Sequence, residues 1–452
     1  MKKSILLISF LVVSATSILA QTQQDTTSQT QAKQDTTAEN ENIKTGFSFG
    51  AVPALSYDSD LGFLYGIILN LYDFGDGSDY PNYDHSLYLE WSRTTKGSGK
   101  NQLIFDSKKL IKGIRTTVEL SYLTEKSLDF YGFNGSNALF VQQYTDESNL
   151  EYKSRMYYRQ DRKYLLARFD FQGNLIGEKL RWMAGYSHVR NYAETVDVDN
   201  LNKGKDDSDT LPHVNTLYDD YVDWSVIPED EKNGGVENQI KIGLIYDTRD
   251  NEANPMKGIW EEAMLVTVPS FLGNDHYYTK LILTHRQYFT IIKKKMNFAY
   301  RLSYQPKIYG DIPFYSLPFV QSTFRVRDGL GGSKTLRGIY RNRIVGDDFL
   351  FANFEMRWKF LETIIAKQNF YIAFFPYLDA GMVTKKHDID ISNVPVDRLD
   401  EFGTGNDNLH LAYGAGLAFA INHNFIITAT YGISNSVSDG RNSLYIGLNF
   451  LF

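Results

Sequence analysis

Alternation of apolar and polar residues in stretches of about ten constrains this chain more than any other feature, since period two belongs to strands and not to helices. Such stretches recur from Phe47 to Phe452, separated by turn residues or charged loops. In one of them Met296, Phe298, Tyr300, Leu302 and Tyr304 oppose Asn297, Ala299, Arg301, Ser303 and Gln305. In a second, Leu350, Ala352, Phe354, Met356, Trp358 and Phe360 oppose Phe351, Asn353, Glu355, Arg357 and Lys359, which puts three charges on one face. At the end of the chain Leu444, Ile446, Leu448, Phe450 and Phe452 alternate with Tyr445, Gly447, Asn449 and Leu451. A soluble sandwich would turn Lys, Glu and Thr outward, whereas here the outward residues are Leu, Phe and Trp, which calls for lipid. The stretches match the roughly 9–11 residues that a tilted strand needs to cross a bilayer. The reading is therefore all-β: a sixteen-stranded antiparallel transmembrane β-barrel over 46–452, with strands that include 152–172 and, last, 443–452.

Loop lengths agree with that register. With both chain ends periplasmic, the short connections 250–256, 291–294, 361–367 and 422–424 fall on the periplasmic side. The long ones, 194–236, 307–345 and 383–408, fall outside, as in bacterial barrels.

The first twenty residues carry Lys2 and Lys3, an apolar run from Ile5 to Val13, and small residues up to Ala20. That is the layout of a cleaved signal peptide, too short to anchor a membrane protein. Residues 21–45 are rich in Gln, Thr and Asp and read as a disordered periplasmic leader that leaves no room for a folded periplasmic domain. Losing two lysines takes the net charge from −7 to −7 − 2 = −9, which disfavours nucleic acid as a partner. With no cysteine there is no disulfide, lipid-attachment thiol or thiolate site. The 8 histidines lack metal-ligand spacing, so neither a metal nor a cofactor is assigned. The run Tyr413-Gly414-Ala415-Gly416 is not followed by a helical pattern, which removes the nucleotide-loop reading.

The sixth external loop contains Gly331-Gly332-Ser333-Lys334-Thr335-Leu336-Arg337-Gly338-Ile339-Tyr340. It resembles the arginine-glycine-aromatic loop motif of the BamA/TamA superfamily, the bacterial surface-antigen barrels. Ile339 stands at the usual aromatic position and Tyr340 follows, so the residue that makes the aromatic contact is open between them. Four more stretches match the family in order. They are Tyr57-Asp58-Ser59-Asp60-Leu61-Gly62, Phe130-Tyr131-Gly132-Phe133-Asn134, Tyr246-Asp247-Thr248-Arg249-Asp250 with Pro255 and Gly258, and Tyr377-Leu378-Asp379-Ala380-Gly381.

A loop of about forty residues is too long to be idle, and its glycines let it fold into the lumen. There Arg337 needs a carboxylate, because an unpaired buried charge is costly. Parity turns Glu355 and Asp379 inward. The resemblance implies the same tether, so Arg337 is expected to bond Asp379 with Glu355 close by. Asp247, Arg249, Asp250, Pro255 and Gly258 read first as a device that shapes a periplasmic turn. Phe450 and Phe452 resemble the C-terminal signal read by barrel-assembly machinery.

For function, the resemblance implies a Gram-negative outer-membrane barrel of membrane biogenesis, in a short form without POTRA domains. It would assist insertion or translocation of proteins or lipids with a separate periplasmic partner. Outer-membrane lipids, the assembly machinery during its own insertion and a second barrel complete the expected partners. Gly46, Gly50 and Pro53 would weaken the seam formed by the first strand. The competing reading is a passive channel or structural barrel. An enzyme is disfavoured, and no catalytic residue is assigned.

Overall fold

The computed structural model describes residues 43–452 except 59–60, 324–326, 366–367 and 422–424. The signal over 1–20 and nearly all of the leader over 21–45 lie outside the described residues, as do Ser59 and Asp60 of the first hairpin.

The strands in chain order are β1 (Phe47–Asp58), β2 (Gly62–Asp73), β3 (His85–Thr94), β4 (Gly99–Ile111), β5 (Ile114–Asp129), β6 (Arg159–Ile176), β7 (Leu180–Glu194), β8 (Gly234–Asp247), β9 (Gly258–Val268), β10 (Tyr278–Ile292) and β11 (Met296–Gln305). They continue with β12 (Lys307–Gly310), β13 (Phe319–Val320), β14 (Arg327–Asp328), β15 (Asp348–Ile365), β16 (Gln368–Lys385), β17 (His410–Ile421), β18 (Phe425–Ser434) and β19 (Ser443–Leu448). Antiparallel ladders link β1 serially to β11, then β11 to β15 and onward to β19. This sheet has 17 strands; the one outside the serial order is β12, which pairs with β10. Its cause is Pro306, which has no N–H for the ladder and interrupts the course of β11. Among the described residues no ladder joins β1 to β19.

The alternation read from the sequence sorts the two faces. In β15, Asn353, Glu355 and Arg357 are buried while Met356, Trp358 and Phe360 are exposed. In β11, Asn297, Ala299, Arg301 and Ser303 are buried. Polar and charged residues thus line the inner face and large apolar ones the outer, the inverse of a soluble sheet. No helix among the described residues is long and apolar enough to cross a membrane. The long loops 130–158, 195–233, 306–347 and 386–409 share one end of the sheet, and the connections 112–113, 177–179 and 293–295 the other. The loop 195–233 holds α1 (Val198–Asn202) and α2 (Leu217–Asp223), the latter opened by a Thr216–Asp219 capping box.

Several boundaries differ from the sequence reading: β15 runs on to Ile365, into the stretch 361–367 read as a short connection, and two others change which way side chains face. β6 begins at Arg159 and not at 152, because the preceding residues turn into the loop end, where Tyr157 and Tyr158 are buried in an aromatic cluster. β19 ends at Leu448 and not at 452. Asn449 adopts φ 64, a left-handed conformation that breaks strand parity, and Phe450 turns to the inner face. Phe450 packs on Phe375 at 5.5 Å, and Arg357 lies 4.3 Å from its ring. Phe450 and Phe452 therefore do not share the apolar outer face with Leu444 and Ile446; guanidinium groups on the inner face offer their rings a better partner.

A β-branched side chain at φ 64 is strained by about 1–3 kcal/mol. Asn449→Val should lower the denaturant midpoint of the refolded protein accordingly, while Asn449→Gly leaves it nearly unchanged. Fluorescence-detected unfolding of the three proteins side by side reads the difference.

Candidate functional site

Loop 306–347 is fixed to the inner face at Arg337. The side chain is almost wholly buried, and so are Glu355 and Asp379. Arg337 Nε donates to Asp379 Oδ2 and Nη2 to Asp379 Oδ1, both at 2.9 Å, a two-pronged pairing. Its backbone N–H also donates to Asp379 Oδ2 at 2.9 Å, and Nη1 donates to Glu355 Oε1 at 2.6 Å. The guanidinium carbon lies 3.5 Å from the centre of the Tyr377 ring.

Further inner-face residues complete the network. Asn353 Nδ2 donates to Asp379 Oδ1 and to the Thr335 carbonyl, each at 2.7 Å. Arg301 Nε donates to Asn353 Oδ1 at 2.8 Å. Arg357 donates to Glu355 Oε2 and, through Nη2, to the main-chain oxygen of Phe452 at 2.8 Å. Arg337 and Arg357 against Glu355 and Asp379 make two cations and two anions. Removing four buried charges from water costs several kcal/mol each, and only such close mutual pairing offsets that.

The rest of the motif continues the docking. Gly338, at φ 103, lies so close to β18 that a Cβ would meet Ile433 N at 2.8 Å. Its N–H donates to Tyr445 Oη at 3.1 Å, which ties the loop to β19, and Tyr340 N–H donates to the Asp439 carbonyl at 2.7 Å. The aromatic contact left open by the sequence is made by Tyr340, which stacks on Tyr131 at 5.5 Å with 17° between the planes. Ile339 is buried instead with Leu336, Phe349 and Phe351. Tyr131 belongs to the stretch 130–134, so segments some two hundred residues apart in sequence meet at this loop. They join a cluster that includes Tyr157, Tyr218, Tyr221, Phe314 and Phe402, contributed by all four long loops.

At the opposite end, the turn motif bonds within itself and to neighbouring strands, with Arg181 donating to Asp247 at 3.1 Å. Arg249 donates to Asp247 from Nε at 2.9 Å and from Nη2 at 3.1 Å, and its guanidinium lies 4.5 Å from the Trp260 ring centre. Asp250 Oδ1 accepts from Met256 N at 2.9 Å, and the Pro255 carbonyl accepts from Asn297 Nδ2 at 2.9 Å. Gly258 has φ 110 and no room for a Cβ, which would lie 2.6 Å from Arg249 Cα. These contacts shape the turn.

Sequence reasoning singled out Arg337, Asp379 and Glu355 but not Asn353, Arg357, Arg301 or Tyr377 as their partners. The usable signal was parity: Asn353 and Arg357 stand two residues either side of Glu355, and Tyr377 two before Asp379.

An antiparallel sheet with a polar inner face, an apolar outer face, long loops at one end and short turns at the other defines the outer-membrane β-barrel class. The sequence matches the Omp85 superfamily domain over residues 97–450, and the chain belongs to that superfamily. Its fold is similar to that of BamA from Haemophilus ducreyi lacking POTRA domains 1-3, at 14% identity and a TM-score of 0.51, over 90% of this chain and 71% of that one. CdiB from Escherichia coli is similar at 9% identity and a TM-score of 0.53, over 89% of this chain and 62% of CdiB. No curated protein matches the sequence.

Removing one partner from a buried ion pair costs about 3–5 kcal/mol. Arg337→Ala is expected to destabilise the refolded barrel by that order and to expose 306–347 to protease, read by denaturant midpoint and limited proteolysis. The aromatic stack is worth about 0.5–1.5 kcal/mol beyond area burial, so a Tyr131→Leu, Tyr340→Leu double-mutant cycle should return a coupling of that size.

Asp347, just before β15, tests pH. Burial raises its pKa, but hydrogen bonds from His387 and Lys307 outweigh it and bring the carboxyl down to about 2. Lys307 Nζ is 2.7 Å and His387 Nδ1 3.1 Å from Asp347. Because the folded value lies below the unfolded one near 3.9, the stabilisation is complete above about pH 4 and is lost as pH falls towards about 2. Hydrogen exchange in 386–409 should rise over that interval in the native protein, and in Asp347→Asn should already be raised at neutral pH.

Proposed function

We propose that this Omp85-superfamily barrel works in the outer membrane of a Gram-negative bacterium, assisting insertion or translocation of proteins or lipids with a client-delivering periplasmic protein as partner. One observation carries the reading: the buried Arg337 cluster is wired to the last strand through Gly338 N–H to Tyr445, and to the segment that follows that strand through Arg357 to Phe452. A loop that served only to fill a lumen has no need of bonds to the strand at the sheet's unpaired edge. A motif that holds β19 and the chain end in place is suited to setting how that edge meets a client. The residues proposed for this are Arg337, Gly338, Tyr340, Glu355 and Asp379. The turn motif 247–258 is assigned a structural role, and Phe450 and Phe452 a role in recognition by the assembly machinery. No catalytic group is assigned, in keeping with a superfamily of transporters and insertases.

The runner-up is a passive channel or structural barrel. Against it stands the aromatic cluster drawn from all four long loops, which a permeating solute would have to part.

Depletion of the protein separates the two. The reading expects outer-membrane protein levels or lipid asymmetry to fall, and Arg337→Ala to fail to restore them when expressed at native level. Normal levels of both on depletion would overturn it.

A further inference from the structure

We infer that the inner face carries a binding site for a phosphate-bearing anion. A cavity of about 260 Å³ lies there, bounded on one side by residues 448–452 of the chain end and on another by β10 and β11. Taking about 30 Å³ per water, it can hold a phosphate group with part of its hydration shell.

The charges of its walls select the ligand. Arg115, Arg249, Arg286, Arg301 and Lys334 line the cavity, against Asp106 and Glu252, an excess of 5 − 2 = 3 positive charges. The acids are already committed: Asp106 accepts from Arg115 at 2.7 Å, and Glu252 pairs with Arg115 at 3.1 Å and Lys108 at 2.9 Å. Widening the count by the charges that contact the wall and their partners adds Lys100, Lys108, Arg181, Arg337 and Arg357 against Glu90, Asp247, Glu262, Glu355 and Asp379, five of each sign, and the excess stands. Even with a carboxylate on Phe452, two positive charges remain.

Cations gathered around one cavity repel each other, and an anion seated among them relieves that repulsion. Two nearly buried amides provide a second, independent sign. Gln172 and Gln321 line the same cavity, and the Oε1 of each is without a hydrogen-bond partner. An unmet buried polar atom is costly, and an amide head can turn either its oxygen or its NH₂ towards a protonated phosphate. Guanidinium groups match phosphate oxygens in geometry as well as charge.

A phosphate group could come from a free phosphate compound or from a lipid headgroup. The segment 448–452 forms part of the cavity wall, and β19, from which it continues, is paired only with β18 among the described residues, which sets the cavity beside an edge of the sheet. This inference does not depend on the insertase reading.

Titration of the full refolded protein tests it, in one arm with inorganic phosphate and in the other with short-chain phosphatidylglycerol below its micelle concentration. Chloride and short-chain phosphatidylcholine serve as controls. Saturable binding in the first arm supports a free-anion site, and in the second alone a headgroup site. Arg286→Gln and Lys334→Gln, shown to be folded by heat-modifiable gel mobility, should each weaken the dissociation constant by about tenfold. Absence of saturable binding in both arms, or equal affinity in either folded variant, overturns the proposal.

Discussion

A single guanidinium carries the organisation of this protein. Arg337 leaves water for the inner face of the sheet, and a charge in that position is tolerable only with several close, well-directed partners. Asp379 and Glu355 supply them, and each is itself bound further, by Asn353 and by Arg357. The position of loop 306–347 follows from this cluster, and the loop in turn places Tyr340 against Tyr131 and Gly338 against β18. Glycine at 338 is required on two counts: its φ of 103 suits no other residue, and the backbone of β18 leaves no room for a side chain.

The same economy of charge runs along the inner face. Arg168 pairs with Glu119 at 2.7 Å and Asp170 at 3.1 Å, and Lys241 with Asp170 at 2.8 Å, all buried. Such ladders let an inner face be polar without being empty. Around the cavity beside the chain end the balance fails and cations exceed anions, and for that reason the inference of an anion site falls there and not elsewhere on the inner face.

Much of the fold was legible in the sequence because side-chain direction in a strand is a local property. Alternation at Met296–Gln305 or in the stretch 350–360 needs no knowledge of neighbours, and the burial of Asn353, Glu355 and Arg357 follows from it. Where backbone geometry departed from the strand, parity misled. Asn449 takes a left-handed φ, and from that point Phe450 faces inward although its place in the alternation puts it outside. The stretch 152–158 is not strand, and there Tyr157 and Tyr158 are buried among the loop aromatics.

The candidate site divides along the same line. The sequence by itself determined that Arg337, Glu355 and Asp379 share one side of the sheet, because glycine spacing, parity and the cost of an unpaired charge are properties of residues and short segments. Only the tertiary structure decided that Arg357 passes the network to Phe452, that Tyr445 receives Gly338, and that Tyr340 and not Ile339 meets Tyr131. Those pairings join segments from distant strands and loops. Which atoms end within hydrogen-bonding or stacking distance depends on ladder register and on the path of the loop, and neither is encoded in any local stretch of residues.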